Sequence, residues 1–493
     1  MYYEIMGKYI AKEDQMSRQS FSMLAEIDCK SNSNWRWRFF EFLDERLDKI
    51  EREVPMVELG DISDAIFHNK ADILGQLMVG FVENKHSDLL NQEYAECPIC
   101  GQVHKSRGKV KRKLEVRVGG FDLYRPYFYC KKCRTGWYPL DEALGLADSP
   151  VQYDLQDVEA WLSTELPYGT ASEAYERCTG GSLSDHHMHD ITNRIADGVG
   201  LLDVCPTKAE IESKIAELSK GKFRRPVMML AIDGAHTPTR PEPSPRKGKR
   251  GKGKWKEDKG FRLYLIDSGG IVHLISWHQV QDDKEFAEAL LTIKNAGLIP
   301  EDKVRLCAIA DGASWIWNRV CEIFSTIKLV LDFYHCSEYI HDLANIQYGK
   351  GTRKAQEWVE ATFVRLFHNR VHDVIRGIKR MEPTSLEAKE KINGVLRYLS
   401  NHKDKMDYGA AKRAGYHIGS GAIESANKFI GHTRLKRSGA WWYPSNANNV
   451  LKLRCAKFNG TYDRIIEKYK RIDQNRIRKQ SDKPTLKLAT PNR

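Results

Sequence analysis

Long apolar runs are missing from this chain of 493 residues. Nowhere does a run of about 18 apolar residues occur, so no membrane-spanning helix is expected. The opening MYYEIMGKYIAKEDQ has no apolar signal region, which argues against a secretory leader. Cysteine is sparse. The eleven cysteines are scattered except for two CxxC pairs, which excludes a disulfide scaffold and points to a reduced, intracellular protein. Acids are scarce at one end. Residues 401–493 hold 21 Lys+Arg against 7 Asp+Glu, whereas residues 1–96 hold 11 against 19. A net charge of +12 placed so unevenly favours a polyanion partner for the C-terminal part, with a merely solubilising basic tail as the alternative. Hydrophobic content of 41% suffices for packed cores, and the length suggests roughly three domains.

Residues 1–90 are expected to be a helical N-terminal domain. Met23, Ile27, Phe39, Phe42 and Leu43 recur near the helical period, as do Leu74, Leu77 and Phe81. Residues 91–145 carry Cys97-Pro-Ile-Cys100 and Cys130-Lys-Lys-Cys133. Between them KLEVRV and DLYRPYFY alternate around Gly119-Gly120. Two CxxC knuckles on a hairpin make a zinc ribbon, four thiolates satisfying one structural, non-catalytic Zn²⁺. His104 is a competing ligand.

Residues 146–222 are expected to form a helix-turn-helix-like DNA-binding domain and connector. One helix runs through Leu155, Val158 and Leu162, a second opens at Thr170-x-x-Glu173, and a third opens at Ser182-x-x-Asp185 after Cys178-Thr-Gly-Gly181. The third helix carries His186, His187, His189, Asn193 and Arg194, which either face a DNA groove or belong to an ordinary helix pair. Residues 207–220 read as an uncapped amphipathic connector.

From residue 223 to 335 strands dominate. VMMLAID (227–233), FRLYLID (261–267), IVHLISW (271–277), VRLCAIAD (304–311) and TIKLVLDFYH (326–335) alternate with helices at DKEFAEALLTIKNAG and ASWIWNRVCEIF. This is a mixed five-stranded α/β sheet. Asp233 and Asp311 each follow an apolar strand and precede Gly-Ala. A strand end aims its last side chain into the crevice where open α/β sheets bind ligands. Residues 336–415 read as a helical insertion. Residues 416–460 return to the sheet with Glu424, and 461–493 form a basic C-terminal tail.

Two strand-end aspartates and a helix glutamate are the hard oxygen set that holds a pair of Mg²⁺ or Mn²⁺ ions for phosphoryl transfer. Cations surround them. The segment 234–260 has nine Lys+Arg and three acids, and reads as an arm that grips phosphate or stays solvated. It includes Arg246, Lys247, Lys249, Arg250, Lys252 and Lys254. Arg434, Lys436 and Arg437 follow Glu424. Trp441 and Trp442 either stack on an unpaired base or pack in a core.

The order Asp, Asp, helical insertion, Glu resembles bacterial insertion-sequence transposases of the DDE type. More narrowly, DGAHTPTRPE, DGASWIWN, DFYHCSEYIHDLA and GSGAIESANKFIGHTRLKRSGAWW resemble the Kra-type family, related to the Mutator-like group, over about 225–455. The resemblance implies a ribonuclease-H-like catalytic domain with Asp233, Asp311 and Glu424 as the metal-holding catalytic triad. Asp332-Phe-Tyr-His335 matches a further signature of the group. There His335, expected at a strand end, orients a phosphate or carboxylate, or buttresses the sheet. The implied activity is binding of terminal inverted repeats in double-stranded DNA, strand cleavage, and strand transfer into target DNA. The implied assembly is at least a dimer, cytoplasmic and nucleoid-associated, with no membrane partner. A metal-dependent nuclease or resolvase, and a non-catalytic DNA-binding regulator, are the rival readings.

Overall fold

A computed structural model describes residues 35–55, 57–241, 252–268 and 270–481. The expected helical positions Met23 and Ile27, and Arg246, Lys247, Lys249 and Arg250 of the arm, lie outside the described residues. The chain divides into two compact units. One holds the described residues through Gln156, with Tyr175–Gly181 and those from Asp473 on. The other holds Asp157–Ala174 and Ser182–Ile472. No described helix is long and apolar enough to cross a membrane.

The first unit begins with helices Trp35–Glu53 and Leu59–Lys85. Three antiparallel hairpins follow: β1 (Tyr94–Glu96) with β2 (Val103–Lys105), β3 (Lys109–Val116) with β4 (Gly119–Pro126), and β5 (Phe128–Cys130) with β6 (Thr135–Trp137). The long β3–β4 hairpin turns at Arg117-Val118, just before the expected glycines. Alternation puts Leu114 and Leu123 inward, where they pack with Val82, Leu90 and Leu140.

The second unit is built on one mixed sheet of five strands. These are β7 (Val227–Thr239), β8 (Lys254–Asp267), β9 (Gly270–Val280), β10 (Arg305–Ala310) and β11 (Lys328–Leu331), ordered β11-β10-β7-β8-β9. β7, β10 and β11 are parallel to one another, while β8 pairs antiparallel with both β7 and β9. Continuous apolar runs mark strands covered on both faces. Met228 to Ile232 are all completely buried, as are Cys307 to Ala310. Each large side chain so buried contributes about 1.5–3 kcal/mol. Helices Asp283–Asn295 and Ser314–Ile323 connect β9 to β10 and β10 to β11.

Several boundaries differ from the sequence reading. β7 does not end at Asp233. It runs six residues further because β8 keeps pairing with it, from Asp233 opposite Gly260 to Thr239 opposite Lys254. Much of the expected loose arm is therefore a β-ribbon. The fifth strand stops at Leu331. Asp332 caps a helix, Phe333–Tyr348, by accepting from the amides of Tyr334 (2.6 Å) and His335 (3.0 Å), so His335 stands in a first helical turn. Helices Arg353–Phe367, Val371–Lys379, Leu386–His402 and Tyr408–Arg413 fill the insertion. The second short helix already starts at Tyr168, placing Thr170 inside it, and the third is capped by Ser184 rather than Ser182. The connector helix Lys208–Ser219 is in fact capped, with Thr207 and Glu210 bonding each other's backbone amides. The expected basic tail is helical over Tyr462–Ser481.

Candidate active site

The parallel register assembles the site. β10 runs beside β7 with Ile309 opposite Ala231, and beside β11 with Ala310 opposite Leu331. Continuing the register sets Asp233, Asp311 and Asp332 level on three neighbouring chains, about 4.8 Å apart at each step. Asp233 accepts from the amide of Gly234 at 2.8 Å and from Asn427 Nδ2 at 2.7 Å. Burial pushes its carboxyl up to about 6. The Gly234 amide opposes this, while the charges of Asp311 and Glu424 add to it. Asp311 accepts from the amide of Ala313 at 2.8 Å, and its carbonyl accepts from Trp317 Nε1 at 3.0 Å, which fixes the turn into the next helix.

Glu424 arrives in the first turn of helix Gly421–Asn427. Ser420 Oγ donates to its carboxylate at 3.0 Å. Three bonds tie this segment to the sheet. The Ser420 amide donates to Asp332 Oδ2 (2.6 Å), the Phe333 amide to the Ile418 carbonyl (2.8 Å), and Arg262 Nη1 to the Ala422 carbonyl (2.7 Å). Asp332 is completely buried and takes three backbone N–H groups, so its oxygens are spent on holding structure. His335 Nδ1 lies 3.7 Å from Asp332 Oδ2. That carboxylate, aided by Asp311, pushes the imidazole up to about 9, making it a cation at neutral pH. A strand-end His is thereby corrected to a helix-turn His held by an aspartate.

One atom from each of Asp332, His335 and Glu424 falls within a 4.8 Å group. Asp233 feels the charges of Asp311 and Glu424, but these three acids do not close to that spacing among the described residues. Like charges repel, and a cation would remove that repulsion. Hard oxygens from three separate elements fit Mg²⁺ or Mn²⁺.

Sequence reasoning missed three supports. Asn427 orients Asp233, and Ser420 serves both Asp332 and Glu424. After Asn427 the helix widens into a π-turn, Lys428–His432, a form found often at functional sites. Arg454, 1% exposed, reaches that turn with Nε to the Ile430 carbonyl at 2.7 Å, and it also bonds the Phe429 carbonyl. An Asn or Arg with no periodic signature cannot be singled out from sequence.

The expected DNA-contact residues separate into two sets. Arg434 is 2% exposed, donates to the Ser163 carbonyl at 2.8 Å, and lies between the rings of Tyr168 (5.0 Å) and Trp442 (4.8 Å). It is a core cation, not a surface grip. Trp442 is also buried, with its Nε1 on the Leu435 carbonyl. Asn193 accepts from Asn449 at 3.0 Å and His189 meets Asn446 at 2.9 Å, so this helix lays that face on helix Pro444–Asn459 rather than in a free groove. Lys436 contacts His432 Nε2 at 2.8 Å. Arg194, Lys252, Lys254, Arg437 and Trp441 are exposed.

In the first unit, Cys97, Cys100, Cys130 and Cys133 bring their sulfurs within 4.8 Å of one another, and Cys100 lies 3.8 Å from Cys130. Each CxxC is followed by a left-handed residue, Gly101 (φ 70°) and Arg134 (φ 53°), which wraps the chain around the sulfurs. The Cys133 amide donates to Cys130 Sγ at 3.4 Å and draws that thiol down to about 6. Four convergent soft donors fit tetrahedral zinc. His104 is outside the cluster and stacks edge-on with Trp137 at 5.9 Å.

No family model matches the chain. A curated relative, the UPF0236 protein in vanSb 3'region of Streptococcus gallolyticus, is 24% identical over 345 residues, covering 68% of this chain and 70% of its own. Among solved structures, the Drosophila P element transposase strand transfer complex aligns at 12% identity over 68% of this chain and 88% of that one. Its TM-score is 0.22, too slight a likeness to define a shared fold.

Proposed function

We propose that this chain is a DNA transposase of the DDE type, with a ribonuclease-H-like catalytic domain and Asp233, Asp311 and Glu424 as its acids. The observation that carries the reading is the level alignment of Asp233 and Asp311 on adjacent parallel strands, with Asp332 tying the Glu424 segment beside them. The strand order, three parallel strands flanked by an antiparallel pair, supports it. So does the run of motifs that resembles the Kra-type family.

Two Mg²⁺ or Mn²⁺ ions held by these acids would activate the attacking oxygen and stabilise the leaving one. The chain's own residues do the rest. Asn427 holds one Asp233 oxygen and the Gly234 amide the other, which fixes the orientation of that carboxylate. Asp332 and Ser420 fix the Glu424 helix turn. The His335 cation sits among the acids, where it balances charge and offers a donor to a phosphate oxygen. Water attacks the scissile phosphate and frees a 3′-OH at the element end. That hydroxyl then attacks a target phosphodiester in the same site, forming a new P–O bond as the target strand's own P–O3′ bond breaks and its oxygen leaves as a 3′-OH. Both steps depend on positioning and charge neutralisation. Synapsis of two ends calls for at least a dimer, and a zinc at the four cysteines would stiffen the first unit.

The test is incubation of the full chain with Mg²⁺ or Mn²⁺, labelled inverted-repeat ends and a target plasmid. Joined product is expected, and loss of joining in Glu424→Gln. Cleavage without joining would make the protein a nuclease. Binding without either would make it a regulator.

A further inference from the structure

The β7–β8 ribbon continues well past Asp233 and carries an aromatic pair that the chemistry above does not use. Trp255 is 59% exposed and Trp441 is 41% exposed, and their ring centroids lie 6.5 Å apart at 61°. Large aromatics are usually covered, because each removes some 150–250 Å² from water on burial. Here the backbone holds them out. The Trp442 amide donates to the Pro238 carbonyl (3.0 Å) and the Arg240 amide to the Trp442 carbonyl (2.9 Å), adding the 442 segment to the ribbon edge. With Trp442 turned inward, Trp441 is turned out. Gly253 passes against the Trp441 ring so closely that a Cβ there would come within 2.3 Å of it, so only glycine permits the approach. Exposed cations neighbour the pair along the chain. Lys252, Lys254, Lys256 and Arg240 are all exposed, and Arg240 stands 5.4 Å from the ring of Tyr443.

We propose that Trp255 and Trp441 form a stacking platform for unpaired bases of a DNA strand, whose phosphates are met by Lys252, Lys254, Lys256 and Arg240. Exposed apolar faces on a segment rich in exposed positive charge match a single strand, which offers bases and phosphates together. A duplex hides its base faces. From Asp233 to Thr239 the strand covers about 20 Å, so the platform holds a strand a few nucleotides from the acids. This deepens the DNA-processing reading and rests on it.

The experiment measures fluorescence anisotropy of a labelled oligo-dT and of a blunt duplex of equal length with the full chain, in the absence of divalent metal. The comparison includes Trp255→Ala/Trp441→Ala, the matching Phe/Phe variant, and a melting curve for each. The alanine pair is expected to lose roughly 10- to 100-fold in affinity for the single strand, with duplex affinity changed less than about threefold. Phe/Phe should recover most of the loss, and the salt slope should stay unchanged because no cation is removed. Equal losses for both DNAs, or none for the single strand at an unchanged melting temperature, would overturn the platform and leave the DNA reading standing. If the unaltered protein binds neither DNA, the DNA reading itself falls.

Discussion

Arg454→Met tests how the helix that carries Glu424 is held. Arg454 is among the largest fully buried side chains, and its guanidinium is fully used. Nε donates to Ile430 (2.7 Å), Nη1 to Glu165 Oε2 (2.9 Å), and Nη2 to Thr433 Oγ1 (2.8 Å), with further bonds to the carbonyls of Thr164 and Phe429. Methionine fills much of the same space without a donor. Phe429 keeps the Thr433 hydroxyl, but Ile430 and Thr164 lose this donor, and Glu165 is left with Lys457. Two buried acceptors at about 1–3 kcal/mol each give about 2–6 kcal/mol. A further loss at Glu165 is offset because a guanidinium no longer has to be desolvated, so about 3–5 kcal/mol is expected. Urea unfolding followed by tryptophan fluorescence measures this. Hydrogen exchange over residues 421–435 locates it, since protection should fall there before it falls in β7 or β10. A change under about 1 kcal/mol, with unaltered exchange in that helix, would refute the claim that Arg454 holds the π-turn in place.

Asp258 gives a pH-dependent prediction. It is 2% exposed, and burial pushes its carboxyl up to about 6 from 3.8. The folded state therefore holds a proton that the unfolded state releases between these values, and stability falls as pH rises through that window. Asp258→Asn should stabilise the chain by about 1–3 kcal/mol at pH 8, with the gain vanishing near pH 4; a gain constant across pH would contradict the burial argument. For the knuckles, metal analysis should find one zinc per chain, absent from Cys97→Ser/Cys130→Ser. A zinc-free native protein that melts normally would remove the ribbon's metal. On the proposed function, Asn427→Ala should raise the Mn²⁺ concentration needed for half-maximal strand cleavage several-fold while changing the melting temperature little, because it removes one of the two bonds that orient the Asp233 carboxylate. An unchanged metal dependence would reduce Asn427 to packing.

The apolar strands, their order along the chain and both CxxC knuckles were legible because each is a local pattern. Continuous runs such as VMMLAI mark buried strands, and paired thiols announce their chemistry by spacing. Asp233, Asp311 and Glu424 stood out through their neighbours. Among the cations after Glu424, Arg434 misled, because a charge run reads as surface whether or not each of its members is buried. Arg434 shows the difference: two aromatic rings and a carbonyl take it into the core. The strand-end reading of Asp233 failed for a related reason. Gly-Ala after an acid resembles a turn, yet pairing with residues some twenty positions later keeps the strand going.

By itself, then, the sequence determined the mixed α/β sheet and the paired thiols, since residue type and short spacing decide those, and it singled out Asp233, Asp311 and Glu424 as candidates through their neighbours. Tertiary structure alone decided the level register of Asp233 and Asp311, the bonds from Asn427 and Ser420, the π-turn under Arg454, and the exposed Trp255–Trp441 pair. Each of these joins residues far apart in the chain, and only strand pairing and side-chain burial bring such residues together.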